Sequence, residues 1–152
     1  MNIESLADHL HHLPTLAAWH HAQFGYLNAA VTLEQRTQKL KASAQKNQLP
    51  VTFVALRGGQ LLGSASLLPQ TITHVHLSPW LSSVYVSPDH RKQGVGSALV
   101  QHVVQQAASI GIAKVYLFTP NSEALYARLG WSLVEYAQLQ DKRITIMSKL
   151  AA

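Results

Sequence analysis

The sequence predicts an α/β domain with a mixed central β-sheet flanked by helices, and three observations predict it. Apolar residues recur at helical spacing before Pro50 and in strand-like runs after it. Two glycines, Gly94 and Gly96, stand between one such run and an amphipathic helical stretch. The remaining segments then run strand, helix and two strands, which completes a mixed sheet with helices. A chain of 152 residues fits one domain, 1–152, and is long enough to bury a core without cross-links.

The elements follow in order. His9 to Tyr26 carries Leu10, Leu13, Leu16, Ala17, Trp19 and Phe24 at loose helical spacing, interrupted at Pro14. Thr32 is an N-cap with Glu34 in the first turn, and Leu33, Leu40 and Ala44 continue that helix toward Pro50. Its Lys and Gln residues form a solvated face. Val51 to Leu56 reads as a strand apolar on both faces, Gly58-Gly59 as a hairpin turn, and Leu61 to Leu68 as the partner strand. Thr71 to Pro79 is a loop or irregular edge. Trp80 to Val86 is a strand stopped by Ser87-Pro88. After the glycines, Val100, Val103, Val104, Ala107 and Ile110 form one helix face, closed by Gly111. Ala113 to Thr119 is a buried strand, and Ser122 to Leu129 a short helix closed by Gly130. Trp131–Ala137 and Arg143–Leu150 are two strands around a Gln140-Asp141 turn.

Composition narrows the function. There is no cysteine, which removes disulfides, thiol nucleophiles and cysteine metal sites, and fits a cytoplasmic protein. Met1-Asn2-Ile3-Glu4 has no basic segment leading into an apolar one, so no signal peptide is expected. No apolar run reaches membrane-spanning length. Twelve Lys and Arg against seven Asp and Glu give a net charge of +5. The bases are scattered and not interleaved with aromatics, which argues against nucleic acid. A mild positive field suits a polyanionic small ligand.

Glycines between a strand and a helix let a ligand approach the backbone closely. The first N–H groups of the helix lack internal partners, and the helix dipole favours an anion there. The spacing alone equally fits a tight turn and a helix start. Two nucleotide-binding alternatives do not fit. A Walker A loop needs Lys-Ser/Thr after its second glycine, where this chain has Ser97-Ala98 after Gly96. A dinucleotide fingerprint needs a third Gly or Ala where Leu99 stands, and an acid some twenty residues on, where Tyr116 to Pro120 has none.

The wider run Val84-Tyr85-Val86-Ser87-Pro88-Asp89-His90-Arg91-Lys92-Gln93-Gly94-Val95-Gly96-Ser97-Ala98-Leu99 resembles the acyl-CoA signature of the GNAT N-acetyltransferase superfamily. Leu117 to Pro120, followed by Leu125-Tyr126-Ala127-Arg128-Leu129-Gly130-Trp131, resembles that superfamily's second block. The resemblance covers about two thirds of the chain. It implies an enzyme that takes acetyl-CoA as cosubstrate, needs no metal, and acetylates a primary amine of a small molecule or peptide by direct attack. It also implies a monomer or homodimer.

The same resemblance assigns residues. Val84, Tyr85 and Val86 would lend backbone groups to the pantetheine arm and to the thioester carbonyl. Arg91, Lys92, Gln93, Gly94, Val95, Gly96 and Ser97 would hold the pyrophosphate. Tyr126 would assist the leaving thiolate as a general acid. The family's usual Asn, seven positions before that Tyr, is Thr119 here, and Asn121 is the substitute one turn on. Many relatives carry a Glu base on the strand of Val84, where this chain has Ser82 and Ser83. That leaves water, His74 or His76 as the base. The missing acid also leaves open a non-catalytic acyl-CoA-binding or regulatory domain of the same fold.

The nine histidines do not make a metal site by spacing. His74 and His76 share a strand face with no acid or cysteine beside them, and the adjacent pairs His11-His12 and His20-His21 cannot face one site on a helix. These read as surface or helix-end residues. Trp19, Phe24 and Tyr26 read as core or acceptor-cleft wall. The acceptor would lie against the N-terminal helices and the Thr71–Trp80 loop. That region's few acids, Glu4, Asp8 and Glu34, argue against polycationic acceptors such as polyamines.

Overall fold

The computed structural model describes residues 1–71, 74 and 76–151. Seven strands make one mixed sheet: β1 (Asn2–Ser5), β2 (Val51–Arg57), β3 (Gln60–Leu68), β4 (Trp80–Val86), β5 (Lys114–Thr119), β6 (Ser132–Leu139) and β7 (Lys142–Leu150). Their spatial order is β1-β2-β3-β4-β5-β7-β6. Four helices flank it: α1 (Leu13–Phe24), α2 (Leu33–Ala42), α3 (Val95–Ser109) and α4 (Glu123–Arg128). The α/β class read from the sequence is the class found.

The N-terminal part differs from its sequence reading in two places. Asn2–Ser5 is a strand, antiparallel to β2 from Asn2↔Leu56 to Ser5↔Phe53. Four residues with one large apolar side chain, Ile3, carry no period to read. Pro14 begins a helix where an interruption was expected. Leu10–His12 is a 3-10 turn, and α1 starts at Leu13 with Pro14 in its first turn. There the missing N–H costs nothing, and the fixed φ suits a helix start. Thr32 caps α2 as expected: Thr32 Oγ1 accepts from Gln35 N–H at 3.1 Å, and Gln35 Oε1 accepts from Thr32 N–H at 2.9 Å.

The unbroken apolar run of β2 has a simple cause. Val51, Phe53 and Ala55 pack into the cluster that holds Leu99, Val100, Val103 and Ala107 of α3. Val54 and Leu56, on the opposite face, pack with Leu16 and Ala17 of α1 and Leu40 of α2. Strand alternation thus sets α3 on one face of the sheet and α1 with α2 on the other. Gly58 and Gly59, at φ +58° and +83°, make the hairpin into β3.

Two features shape β4. Pairing with β3 slips between Ser64↔Tyr85 and Ser66↔Ser82, so β4 carries one extra residue, and Ser83 takes φ +54°. Next to this bulge, β3 presses against β4 at Gly63: a Cβ there would lie 2.3 Å from the Tyr85 carbonyl oxygen. On its other side β4 meets β5 in parallel at Trp80↔Tyr116. Trp80 is fully buried, and its indole donates to the Leu77 carbonyl at 2.7 Å. Beyond that point the two strands separate, and β5 runs on against β7 from Lys114↔Leu150 to Thr119↔Thr145. Of the Thr71–Pro79 loop, residues 72, 73 and 75 lie outside the described residues. No helix among the described residues is long and apolar enough to cross a membrane.

The Gly63 contact is between main chains and cannot be relieved by a rotamer change. Gly63→Ala is therefore expected to destabilise the protein by about 2–3 kcal/mol, as overpacking does. Urea denaturation of the variant beside the parent measures it.

Candidate active site

The separation of β4 from β5 opens a cleft of about 720 Å³. Leu81, Ser82, Ser83 and Val84 of β4 line one wall, and Leu117, Phe118 and Thr119 of β5 another. Residues of α1 and α2 close its far side, and Tyr126 of α4 enters from the β5 side. Of the expected cofactor and catalytic residues, Val84, Asn121 and Tyr126 line this cleft; so do Phe24 and Tyr26, read from the sequence as core or acceptor-cleft wall, while Trp19 does not. Tyr85 itself does not line the cleft; its ring packs with Trp19, His20 and Phe24 of α1, of which His20 and Phe24 do. Val84 and Val86 pack toward the α3 cluster.

Arg91 to Ser97 lie where β4 hands over to α3. Gly94 is the N-cap of α3 in a left-handed conformation, φ +83°, which a glycine adopts without strain. Lys92 is also left-handed, at φ +62°. Ala98 N–H is the first of the helix to bond back, to the Gly94 carbonyl at 3.0 Å. The N–H groups of Val95, Gly96 and Ser97 have no acceptor among the described residues, and no side chain caps the helix. A Cβ at Gly96 would make only ordinary contact with Val86, so the fold itself does not demand that glycine. Arg91 folds back on the strand end: its Nε donates to the Val86 carbonyl at 2.9 Å and its guanidinium lies 5.6 Å from the Tyr85 ring centre. Gln93 donates to the Asp89 carbonyl at 3.5 Å. The segment is a bare, positively flanked helix start suited to phosphate.

Tyr126 is held by the short helix around it. Its N–H bonds to the Ser122 carbonyl, and its own carbonyl accepts from Trp131 N–H at 3.0 Å. The two rings pack edge to face, 6.1 Å apart. Glu123 ties α4 to the sheet, accepting from the Tyr136 hydroxyl at 3.1 Å and the Thr145 hydroxyl at 3.3 Å. Burial raises the Tyr126 phenol above its ordinary value, so the proton stays on it at neutral pH. Thr119 Oγ1 is engaged locally, accepting from Ser122 N–H at 3.0 Å. Asn121 is exposed at the cleft rim.

The two histidines offered as bases are elsewhere. His74 pairs with Glu135 of β6, and exposed His76 lies beside it; neither lines the cleft. The histidine that does is His20, which the sequence reading had left at the surface. It is buried, and its Nε2 shares a 2.8 Å hydrogen bond with Ser64 Oγ. The signal was present in the spacing: His20 follows Leu16 by four residues and Ala17 by three, on the buried face of α1. Burial, and secondarily the nearby Arg36, push the imidazole down to about 4. It is neutral, and a weak base. A chain of buried hydroxyls, Ser43–Thr52–Ser66, joins at 2.7 Å per step and ends on the Leu40 carbonyl. Among the described residues no group of three His, Cys, Asp or Glu could hold a metal ion.

Comparison with known proteins agrees with this geometry. The model of the acetyltransferase (GNAT) family matches residues 13–131. The chain belongs to that family. Its sequence is 30% identical over 116 residues to the [ribosomal protein bS18]-alanine N-acetyltransferase of Escherichia coli K12, covering 70% of this chain and 74% of that protein. Among solved structures, ribosomal-protein-alanine N-acetyltransferase from Brucella melitensis superposes with a TM-score of 0.76 at 23% identity, covering 99% of each chain. An aminoglycoside 6'-N-acetyltransferase complexed with coenzyme A superposes at 0.72 and 18%, covering 100% of this chain and 98% of that one.

The buried imidazole gives a pH signature. An unfolded histidine titrates near 6.5. Between about 4 and 6.5 the unfolded chain therefore binds a proton that the folded chain refuses, and stability rises with pH. The stability of the native protein is complete above pH 6.5 and falls on acidification toward pH 4, by on the order of 2–3 kcal/mol from this group. His20→Gln, which cannot titrate, should flatten that slope in urea denaturations between pH 4.5 and 7.5. His12 and His102, also lowered by burial, keep a residual slope.

Proposed function

We propose that residues 1–152 form one N-acetyltransferase domain, which moves an acetyl group from acetyl-CoA to a primary amine of a small molecule or peptide. The observation that carries this reading is Tyr126, protonated and fixed in the cleft where β4 leaves β5. Acetyl-CoA supplies an acyl group activated as a thioester. The three unpartnered N–H groups at the start of α3, with the left-handed Gly94 before them, fit its pyrophosphate. The coenzyme A complex of the superposed aminoglycoside acetyltransferase supports the same cosubstrate.

The chemistry asked of this chain is modest. The cleft holds the neutral amine against the thioester carbonyl, so the C–N bond forms as the C–S bond breaks. A main-chain N–H of β4 near Val86, freed by the separation from β5, donates to the carbonyl oxygen as charge develops. Tyr126 donates its phenolic proton toward the departing sulfur. A phenol near 10 and a thiol near 8.5 make that transfer about 2 kcal/mol uphill in water. The proton shed by the amine passes to water, since no carboxylate lines the cleft and His20 is a weak base, and solvent returns a proton to the Tyr126 phenolate. A cytoplasmic location fits a cysteine-free chain that uses acetyl-CoA.

Tyr126→Phe tests this. Turnover with a panel of amines should fall about 100-fold or more, while acetyl-CoA affinity, measured by calorimetry, stays within about threefold. If no amine is ever acetylated and the substitution changes nothing, the chain is a non-catalytic acyl-CoA-binding domain.

A further inference from the structure

We infer that the amine acceptor carries an anionic group, a carboxylate or a phosphate, and that Arg36 of α2 receives it with Lys39 beside it. The inference rests on the transferase reading above and names the substrate class of the same cleft.

The α2 wall is where the charge is. Arg36, Lys39, Leu40 and Ser43 stand at helical spacing i, i+3, i+4 and i+7, and all four line the cleft. Leu40 and Ser43 are buried and anchor that face on the sheet. Arg36 is consequently half-buried at the cleft, while Lys39 stands exposed at its rim, in keeping with the solvated Lys and Gln face expected of this helix. The cleft lining has these two cations and neither Asp nor Glu.

Arg36 has no counter-ion of its own. It forms no ion pair among the described residues, and its Nε is fully enclosed without a hydrogen-bond partner. Partial burial of a guanidinium with no partner at its enclosed nitrogen carries a desolvation cost. Burial lowers its proton affinity, which reports the same cost. A fold with seven acids places none of them there, so the missing charge is left for a ligand to bring. The planar fork of a guanidinium matches a carboxylate or phosphate with two parallel hydrogen bonds.

The anion is not that of the cosubstrate. The helix start suited to a pyrophosphate belongs to α3, which covers the opposite face of the sheet from α2. None of Arg91 to Ser97 lines this cleft. Arg36 instead lines the cleft together with His20, at the end built by α1 and α2. A polycationic amine would meet two like charges there and no acid.

Matched acceptor pairs test the inference: alanine against alaninamide, O-phosphoethanolamine against ethanolamine, and an alanine-first peptide with Glu or Gln in second position. The anionic member of at least one pair should have a kcat/KM roughly 10- to 100-fold above its neutral partner, the worth of a charged hydrogen-bonded pair. The pair that responds distinguishes a free carboxylate, a phosphate and an acidic peptide side chain. Arg36→Gln should bring that ratio to about one, and Arg36→Lys should retain part of it. Thermal melts and acetyl-CoA binding show whether each variant is folded. Equal or better turnover of the neutral or cationic partners in all three pairs overturns the inference and leaves the transferase reading standing. Binding supplies a second readout, with N-acetylalanine and N-acetylalaninamide titrated into the coenzyme A-saturated protein. If nothing turns over but N-acetylalanine binds at least tenfold tighter, dependent on Arg36, the anion site stands and the transferase reading falls. Equal binding in the absence of turnover overturns both.

Discussion

β4 and β5 meet as parallel neighbours at Trp80 and Tyr116 and then part, and the cleft exists because they do. Both ends of this arrangement are enforced by packing. Trp80 is fully buried against Ile144 and Ile146, which pins the closed end. Toward the open end β4 carries an extra residue at its bulge and is held to β3 by the close main-chain approach at Gly63. β5 is held just as firmly by β7 along its whole length. With each strand committed to its other neighbour, the gap cannot close by forming ladder hydrogen bonds. Main-chain groups of β4 are left facing the gap without a ladder partner on that side.

The sheet then sorts the chemistry by face. One face carries α3, whose bare start points three N–H groups outward. The other carries α1 and α2, whose buried polar atoms are mostly satisfied: His20 by Ser64, and Ser43, Thr52 and Ser66 by one another. Two enclosed nitrogens of these helices lack a partner among the described residues, Nδ1 of His21 and Nε of Arg36, and of the two only Arg36 lines the cleft. The satisfied groups serve the stability of that wall, and Arg36 is the group we infer to serve a ligand. His20, kept neutral by burial, belongs to the first kind although it faces the cleft.

Much of the fold was legible because local rules dictated it. The Gly58-Gly59 hairpin, the Thr32 cap, the amphipathic α3 and the glycine closures of α3 and α4 depend on residues within a few positions of one another. β1 was not legible, because a four-residue edge strand owes its existence to the neighbour it pairs with. The placement of His74 beside Glu135 was equally hidden, since the two are 61 residues apart. His20 was half legible: its spacing from Leu16 put it on the buried face, while its chemistry suggested the surface.

The family was legible in the sequence, and so was the strand–glycine–helix segment proposed for the donor, because those features are contiguous. The residues from Val84 to Leu99 and from Leu117 to Trp131 form two short segments whose spacing carries their meaning. The acceptor end we propose arises only in the tertiary structure. Arg36, His20, Ser66 and Tyr126 come from four separate elements and converge because α1 and α2 pack on the sheet face across which β4 and β5 part. No local pattern encodes that convergence; it follows from which strand faces are apolar and which strands are free to separate.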